Sequence, residues 1–491
     1  MKSYDLAYGT YSIRNVYPEV IDEHLSYSLG QALGAYLLQE HGKDASLVFA
    51  GDGRQANNTL IFAFLCGLEK AGVTRYTNGG MPVPCVSGQS LTRGVCSSAS
   101  LYYFTKDDFD LGVMFTASHN PPEYAGIKIL KRDALFVPTT RLKELVTTYE
   151  EFVPESRQWR FDEITYRATQ GNEWLIDTVQ KKRLALQSLL VDRFSSFKHP
   201  PRIVVDFTNG GAIADEKSVF DTLRQRGKGT FIYLNELADS NFTAHLWDTT
   251  DPYNYTQLIT TVQQEKADLG IIFDGDADRL GLVDEHGEYI GGDVLVALIA
   301  KYLLEKYGPG SAVVYDISSS NTVPEMINGL WGLPVPARVG MVFLKELFFE
   351  HKAIFGGELS GHIFFPETSG CESPMLALYY LLALLEKYSG VTLSQMVAQV
   401  HKYYKPPLIN YTTSRKFEIL ERVSEYYRAY PQDRTDGVRV NGDGRRLLVR
   451  ASNTEPILRL YIEATNQEIW KEKFIEVESV FGDDCIPFSA H

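Results

Sequence analysis

Apolar positions recur at near-helical spacing from Ile21 to His41, with Leu25, Leu29, Leu33, Tyr36 and Leu37 in the pattern and Gly42 closing it. This predicts an amphipathic helix with a glycine C-cap. The run Leu47-Val48-Phe49-Ala50 predicts a strand that enters the polar turn Gly51-Asp52-Gly53-Arg54, after which Asn58 caps a second apolar helix through Glu69. The same strand-loop shape returns at Ile203–Asp206 before Thr208-Asn209-Gly210-Gly211, and at Ala312–Asp316 before Ser318-Ser319-Ser320-Asn321. Three similar α/β domains are therefore expected, each a mixed sheet sandwiched by helices. The last segment differs. Val438–Val440 and Arg446–Arg450 flank Asn441-Gly442-Asp443-Gly444 as a hairpin, Ile457–Ala464 continues as a strand, and Gln467–Phe481 closes as a helix. That pattern predicts a smaller C-terminal α+β domain. Boundaries in the charged, proline-containing stretch 151–160, after the strand Leu280–Val283 and near Lys405-Pro406-Pro407 divide the chain into 1–157, 158–287, 288–405 and 406–491.

At 491 residues the chain is long enough for several cores, in keeping with this division. A net charge of -14 and a pI near 5.3 repel polyanions, which argues against nucleic acid or an anionic membrane as the main partner. Any phosphate ligand then needs a local basic pocket. The five cysteines form no CxxC pair and are too sparse for a disulfide framework, so reduced thiols and a cytoplasmic protein are expected. Met1–Asn15 lacks the apolar core of a signal peptide, and the longest apolar run, Met375–Leu385, is well short of the roughly 20 residues a membrane helix needs.

Four segments carry chemistry. Asp274-Gly275-Asp276-Ala277-Asp278-Arg279 follows the apolar strand Leu269–Phe273, and alternate carboxylates on a tight turn can converge on one hard cation. A calcium-binding EF-hand would also place Glu285 twelfth from Asp274, but Arg279 stands where that loop wants glycine, and the flanking segments read as strands. In Thr116-Ala117-Ser118-His119-Asn120-Pro121-Pro122, small and polar residues end a strand and the prolines forbid helix, which predicts an exposed loop serine. Ser118 beside His119 does not read as a hydrolase, because the nucleophile-elbow pattern GxSxG is missing. Gly356-Gly357-Glu358-Leu359-Ser360-Gly361-His362 offers close backbone approach together with donors and acceptors suited to sugar hydroxyls. Arg450-Ala451-Ser452-Asn453-Thr454-Glu455-Pro456, between two strands, can cradle a phosphate dianion.

Taken in this order, TASHNPP, DGDxDR, GGExSGH and RASNTEP closely resemble the α-D-phosphohexomutase superfamily, in particular its bacterial phosphomannomutase/phosphoglucomutase branch. The resemblance implies four domains around a central cleft, with one signature from each. It implies a phosphoserine at Ser118 and Mg²⁺ held by Asp274, Asp276, Asp278 and an oxygen of the modified Ser118. Arg14 and Lys128 would flank Ser118, Glu358 and Ser360 would bind sugar hydroxyls, Arg279 would sit near the metal, and Arg450, Ser452, Asn453 and Thr454 would hold the non-reacting phosphate. The implied reaction interconverts hexose 1-phosphate and hexose 6-phosphate through a hexose 1,6-bisphosphate, which also serves as activator. Lys128, crowded by Arg14 and the metal, is expected to have a lowered pKa and to shuttle the hydroxyl proton, with His362 as second choice.

Around Arg14 the chain reads Gly9-Thr10-Tyr11-Ser12-Ile13-Arg14-Asn15 where the family commonly reads YDIRG or GTSGxRG, and two further positions depart from that branch. Lys usually follows two residues after the strand-ending Asp, and His follows the Gly of a later loop; here Ser318 and Met341 stand in those places. Phosphoglucosamine mutases lack the same pair, but their sugar loop typically reads GEQSGH, whereas Leu359 occupies the middle position here. Mannose and glucose phosphates are the first expectation and phosphoglucosamine mutase is the alternative. A catalytically silent sugar-phosphate-binding protein is the reading from another class.

Overall fold

The computed structural model of the chain describes residues 4–9, 11–86, 90–149, 172–442, 445–452, 456–482 and 485–488. It contains two compact units, residues 1–291 with 360–394, and residues 292–359 with 395–491. The boundary expected within 151–160 lies outside the described residues.

In the first unit the strand Leu47–Gly51 is buried along its whole length and has parallel neighbours Tyr76–Asn78 and Leu111–Phe115. A strand covered on both faces reads as a continuous apolar run rather than an alternation. Tyr124–Lys131 and then Ser12–Val16 extend the sheet antiparallel. The helix Glu23–His41 starts where the Asp22 carboxylate accepts the Leu25 N–H at 3.0 Å and stops at Gly42, whose φ is +69°. It is not the two-faced helix its spacing predicts: beside Leu25, Leu29, Leu33 and Leu37, the residues Tyr27, Gly30, Ala32 and Gly34 are buried too. It shares one core with Phe49, Val113 and Ile127 and packs closely on the helix Asn57–Ala71. There a Cβ on Gly30 would lie 2.0 Å from the Phe64 carbonyl oxygen, and one on Gly67 would lie 2.1 Å from that of Tyr27, so only glycine allows this approach. Asn58 does not cap the second helix as expected. No side chain caps it, and the neighbouring Asn57 amide instead donates to Asp52 Oδ1 and the Phe115 carbonyl, both at 2.9 Å.

A second mixed sheet follows, in which Arg202–Asp206 lies between the parallel strands Thr230–Leu234 and Leu269–Phe273, and Leu280–Asp284 runs antiparallel to the latter. The helix Glu173–Ser195, unread from the hydrophobic pattern, buries Leu175, Val179, Leu186 and Leu190 together with Arg183, whose Nε meets Asp215 at 2.8 Å. The apolar run Met375–Leu385 belongs to the helix Pro374–Lys387, most of which is buried. Among the described residues no helix is long and apolar enough to cross a membrane.

In the second unit Ala312–Asp316 has parallel neighbours Leu333–Ala337 and Phe355–Gly357. The C-terminal part is an antiparallel sheet built on the expected hairpin, Val438–Gly442 with Arg445–Ala451, followed by Ile457–Ala464 and the helix Gln467–Phe481. Three α/β sheets and a C-terminal α+β domain are thus the observed architecture.

The acids at or just after the three repeated strands share a task. Asp52 accepts the Arg54 N–H, Asp206 accepts the Thr208 N–H, and Asp316 accepts the Ser318 and Ser319 hydroxyls. Each carboxylate organises the loop that leaves the strand. Asp206 also takes both oxygens' bonds from Asn235 Nδ2 and lies 3.1 Å from His245 Nε2. Burial alone would lower the His245 pKa, but the Asp206 carboxylate outweighs it and holds the imidazole above its ordinary 6.5. Stability from this pair is therefore fully present below that ordinary value and is lost as pH rises through the raised one. His245→Gln should cost about 1–2 kcal/mol at about pH 6, and the deficit should shrink towards about pH 9. Urea unfolding at the two pH values checks this; a deficit that grows with pH would overturn it.

Candidate active site

In the first unit the strands deliver the serine and aspartate loops to one place. Leu111–Phe115 and Tyr124–Lys131 form a hairpin-like pair whose connection carries Ser118, and the register sets Lys128 opposite Met114 and Ser12, with Arg14 opposite Gly126. Leu269–Phe273 and Leu280–Asp284 form the pair whose connection carries the three aspartates. Strands on both sides of that loop exclude the EF-hand, which needs helices.

Ser118 lies on a loop as expected, but it is 1% exposed rather than open to solvent. Its φ of +51° is uncommon for a side-chain-bearing residue, so neighbours must hold it there. The Ser118 N–H donates to Thr116 Oγ1 at 2.7 Å, and its hydroxyl donates to Asp274 Oδ2 at 3.0 Å while lying 3.3 Å from His119 Nδ1. Burial, then Arg279, Arg14 and His362, push the His119 pKa well below its ordinary value, so the ring beside the hydroxyl is neutral.

Asp274, Asp276 and Asp278 are all buried, and one carboxylate oxygen from each lies within 4.8 Å of the others. Asp274 Oδ1 closes the turn by accepting the N–H groups of Asp278 and Arg279 at 3.0 and 3.1 Å. Lys128 Nζ donates to Asp276 Oδ2 at 2.6 Å and to Asp278 Oδ2 at 2.8 Å. On the far side His362 Nε2 lies 3.1 Å from Asp278 Oδ1, Arg279 Nε lies 3.6 Å from Asp274 Oδ2, and Ser360 Oγ lies 2.9 Å from His362 Nδ1.

These contacts correct the expectation for Lys128. Burial pulls its pKa down, but the Asp276 and Asp278 carboxylates together outweigh burial and hold the ammonium well above its ordinary value. In this arrangement it is a fixed positive charge. Asp274, which lacks that partner, is pushed well up by burial and by the Asp278 and Asp276 charges. An all-oxygen donor set, a buried Asp276 Oδ1 with no hydrogen-bond partner among the described residues and a carboxyl whose neighbours resist its ionising all fit a hard divalent cation.

Arg14 joins the serine loop through Asn120, donating to its Oδ1 at 3.0 Å, while its own Nε is buried without a partner among the described residues. Ser98 escaped the sequence reading altogether. Its hydroxyl donates to Asp276 Oδ2 and its N–H to the Asp276 carbonyl, from a position in the first turn of the helix Ser98–Thr105. Only the run of small residues from Ser97 to Ser100, three of them serines, could have flagged it.

The second unit holds the remaining expected residues. Glu358 Oε1 accepts the Gly340 N–H at 3.0 Å, the adjacent Val339 N–H donates to Asp436 Oδ2 at 3.1 Å, and Arg450 Nε donates to the same oxygen at 3.0 Å. The expected sugar acid and phosphate arginine are thereby linked through two successive peptide N–H groups and one carboxylate. The Ser452 carbonyl accepts from Lys416 Nζ at 2.6 Å; Asn453 and Thr454 lie outside the described residues. The two departures have local explanations. Ser318 is buried and turned onto Asp316, and Met341 is a buried residue that opens the helix Met341–Glu350.

Comparison with known proteins agrees with this layout. Successive stretches match four family profiles: the phosphoglucomutase/phosphomannomutase alpha/beta/alpha domain I over residues 5–153, domain II over 185–287, domain III over 291–404, and the C-terminal domain over 408–477. The chain is 31% identical over 486 residues to a phosphomannomutase of Methanocaldococcus jannaschii, covering 97% of this chain and 98% of that one. It is 30% identical over 482 residues to a probable phosphoglucosamine mutase of Pyrococcus abyssi, with the same coverage of 97% and 98%. Its fold matches the crystal structure of a phosphoglucomutase/phosphomannomutase family protein from Burkholderia thailandensis with a TM-score of 0.76 at 23% identity, covering 99% of this chain and all of that one. The chain belongs to the phosphoglucomutase/phosphomannomutase family of phosphotransferase enzymes.

Proposed function

We propose that the protein is a Mg²⁺-dependent phosphohexomutase, acting in the cytoplasm, that interconverts hexose 1-phosphate and hexose 6-phosphate of mannose or glucose through phosphoserine at Ser118. The observation that carries this reading is the Ser118 hydroxyl set 3.0 Å from Asp274 within a buried three-carboxylate cluster. Asp274, Asp276, Asp278 and an oxygen of the modified Ser118 would hold the metal. A bound divalent cation would draw charge from the transferring phosphoryl group and, by neutralising the carboxylates, remove the field that keeps Lys128 protonated.

A hexose hydroxyl attacks the phosphorus of phosphoserine. Its new O–P bond forms as the Ser118 Oγ–P bond breaks, giving hexose 1,6-bisphosphate. The hydroxyl proton passes to Lys128 or His362, the two basic groups on Asp278, and a proton returns to Ser118 Oγ. The second half runs in reverse from the other phosphate of the bisphosphate, which restores phosphoserine; added bisphosphate therefore acts as activator by reloading Ser118. Arg14 and Arg279 supply positive charge, Glu358 and Ser360 bind sugar hydroxyls, and Arg450, Ser452, Asn453 and Thr454 hold the idle phosphate. The domain limits 1–157, 158–287, 288–405 and 406–491 are our proposal for the pieces that carry these roles.

Arg450→Ala should raise KM for hexose 1-phosphate by about 10- to 100-fold, the loss of one or two charged hydrogen bonds. An unchanged KM in steady-state kinetics would remove Arg450 from the phosphate site.

The reading is tested by turnover on α-mannose 1-phosphate, α-glucose 1-phosphate and glucosamine 1-phosphate with Mg²⁺ and catalytic glucose 1,6-bisphosphate. Glucosamine 1-phosphate belongs in the assay because a probable phosphoglucosamine mutase is nearly as similar to the chain as the phosphomannomutase. Turnover fastest on mannose or glucose 1-phosphate is the expected result. Turnover on none of them, with Ser118 able to accept a phosphoryl group, would leave a silent sugar-phosphate-binding protein or a different sugar.

A further inference from the structure

Arg54 lies outside the four signature segments, in a turn that the sequence marks only as polar, yet its side chain is fully engaged beside Ser118. It is 2% exposed, and all five of its N–H donors are used. Nε meets Asp52 Oδ2 at 3.0 Å. One terminal nitrogen donates to the carbonyls of Pro121 at 2.7 Å and Tyr124 at 3.0 Å, and the other donates to those of Ser118 and Asn120, both at 2.7 Å. Four of the five acceptors are thus backbone carbonyls, three in the loop that carries the reactive serine and one on Tyr124, the strand residue where that loop ends.

The same guanidinium is fixed from outside that loop. Its central carbon lies 5.0 Å from the ring centroids of both Phe242 and Trp247, which stack on each other. Trp247 in turn packs on the aspartate loop, where a Cβ added to Gly275 would fall 2.0 Å from the indole and 2.6 Å from the Ser118 carbonyl oxygen. Asp52 completes the frame, because the oxygen that takes Arg54 Nε also accepts the Thr116 hydroxyl at 2.6 Å, and that hydroxyl receives the Ser118 N–H at 2.7 Å. Both ends of the left-handed Ser118 residue are therefore held by one ion pair.

We propose that Arg54 is a positioning residue for phosphoryl transfer, setting the Ser118 hydroxyl against Asp274 by gripping the serine loop on one side and the Trp247 ring on the other. This rests on the reading of Ser118 as the phosphoryl carrier. A displacement of about 1 Å at reacting atoms costs on the order of 100-fold in rate, so a side chain that sets this spacing acts on the chemical step. Lysine keeps the charge but cannot span four carbonyls with one nitrogen.

The test compares full-length parent, Arg54→Lys and Phe242→Leu proteins after dephosphorylation. It follows by intact mass the rate at which glucose 1,6-bisphosphate phosphorylates each, alongside kcat, KM and thermal unfolding. For folded Arg54→Lys the expected result is loading and kcat both reduced about 100-fold, with KM for hexose 1-phosphate unchanged within about twofold, a split that simple loss of folded protein would not give. Phe242→Leu, which loosens the guanidinium without removing a hydrogen bond, should show the same split at about fivefold. Parent loading with equal loading and kcat in folded Arg54→Lys would overturn the positioning role alone; if that variant does not fold, parent-like loading of folded Phe242→Leu overturns it. A parent protein that never accepts a phosphoryl group would overturn the phosphoserine reading and this inference with it.

Discussion

Ser118→Ala should abolish both the phosphoryl group on the protein and mutase turnover, lowering kcat by at least about 10⁴-fold. The effect is this large because the hydroxyl has no understudy. The loop presents Ser118 Oγ to Asp274 at 3.0 Å, whereas the nearby hydroxyls of Ser98, Thr116 and Ser360 are engaged with Asp276, Asp52 and His362. The substitution removes one oxygen from a buried site whose backbone is held by Thr116 and Arg54, so the fold and the sugar-phosphate affinity should survive. Intact mass after incubation with glucose 1,6-bisphosphate, together with coupled turnover, gives the answer. A Ser118→Ala protein that still gains a phosphoryl group would move the carrier to another residue.

Lys128→Met should destabilise the protein by about 3–5 kcal/mol in chelator, because it strands two buried carboxylates whose shared cation is gone. Lys128 is 2% exposed and spans Asp276 and Asp278 at 2.6 and 2.8 Å, so water does not replace it. Mg²⁺ should then recover part of the loss. At about 100 times its Kd a ligand adds roughly 2.7 kcal/mol, and the variant should gain more than the parent because no ammonium competes for the same carboxylates. Urea unfolding with chelator and with Mg²⁺ measures both quantities. A variant as stable as the parent in chelator would mean that the pair does not carry the charges the geometry implies, and equal Mg²⁺ gains would mean that Lys128 does not oppose the metal.

Much of the architecture was legible in the residues because it is local. The apolar run at Leu47–Ala50, the hairpin around Asn441-Gly442 and the strand Ile457–Ala464 follow from side-chain period and turn chemistry, which need no knowledge of distant partners. Alternate acids after a buried strand, and a serine before two prolines, likewise announce themselves within a dozen residues. Where the reading missed, tertiary packing had overruled the local pattern. The helix Glu23–His41 is buried on more than the face its leucines mark, and Asn57 spends its amide on Asp52 and Phe115 while the helix it opens goes without a side-chain cap.

The sequence by itself determined which groups are available at the candidate site and which turns carry them, since residue type and spacing decide that. Only the tertiary structure decided their state: Ser118 is buried, Lys128 is paired across 148 residues with Asp276, and Arg54 closes on a loop 64 to 70 residues away. Desolvation and hydrogen-bond geometry depend on what the folded chain brings within a few ångströms, and no periodicity along the chain encodes that.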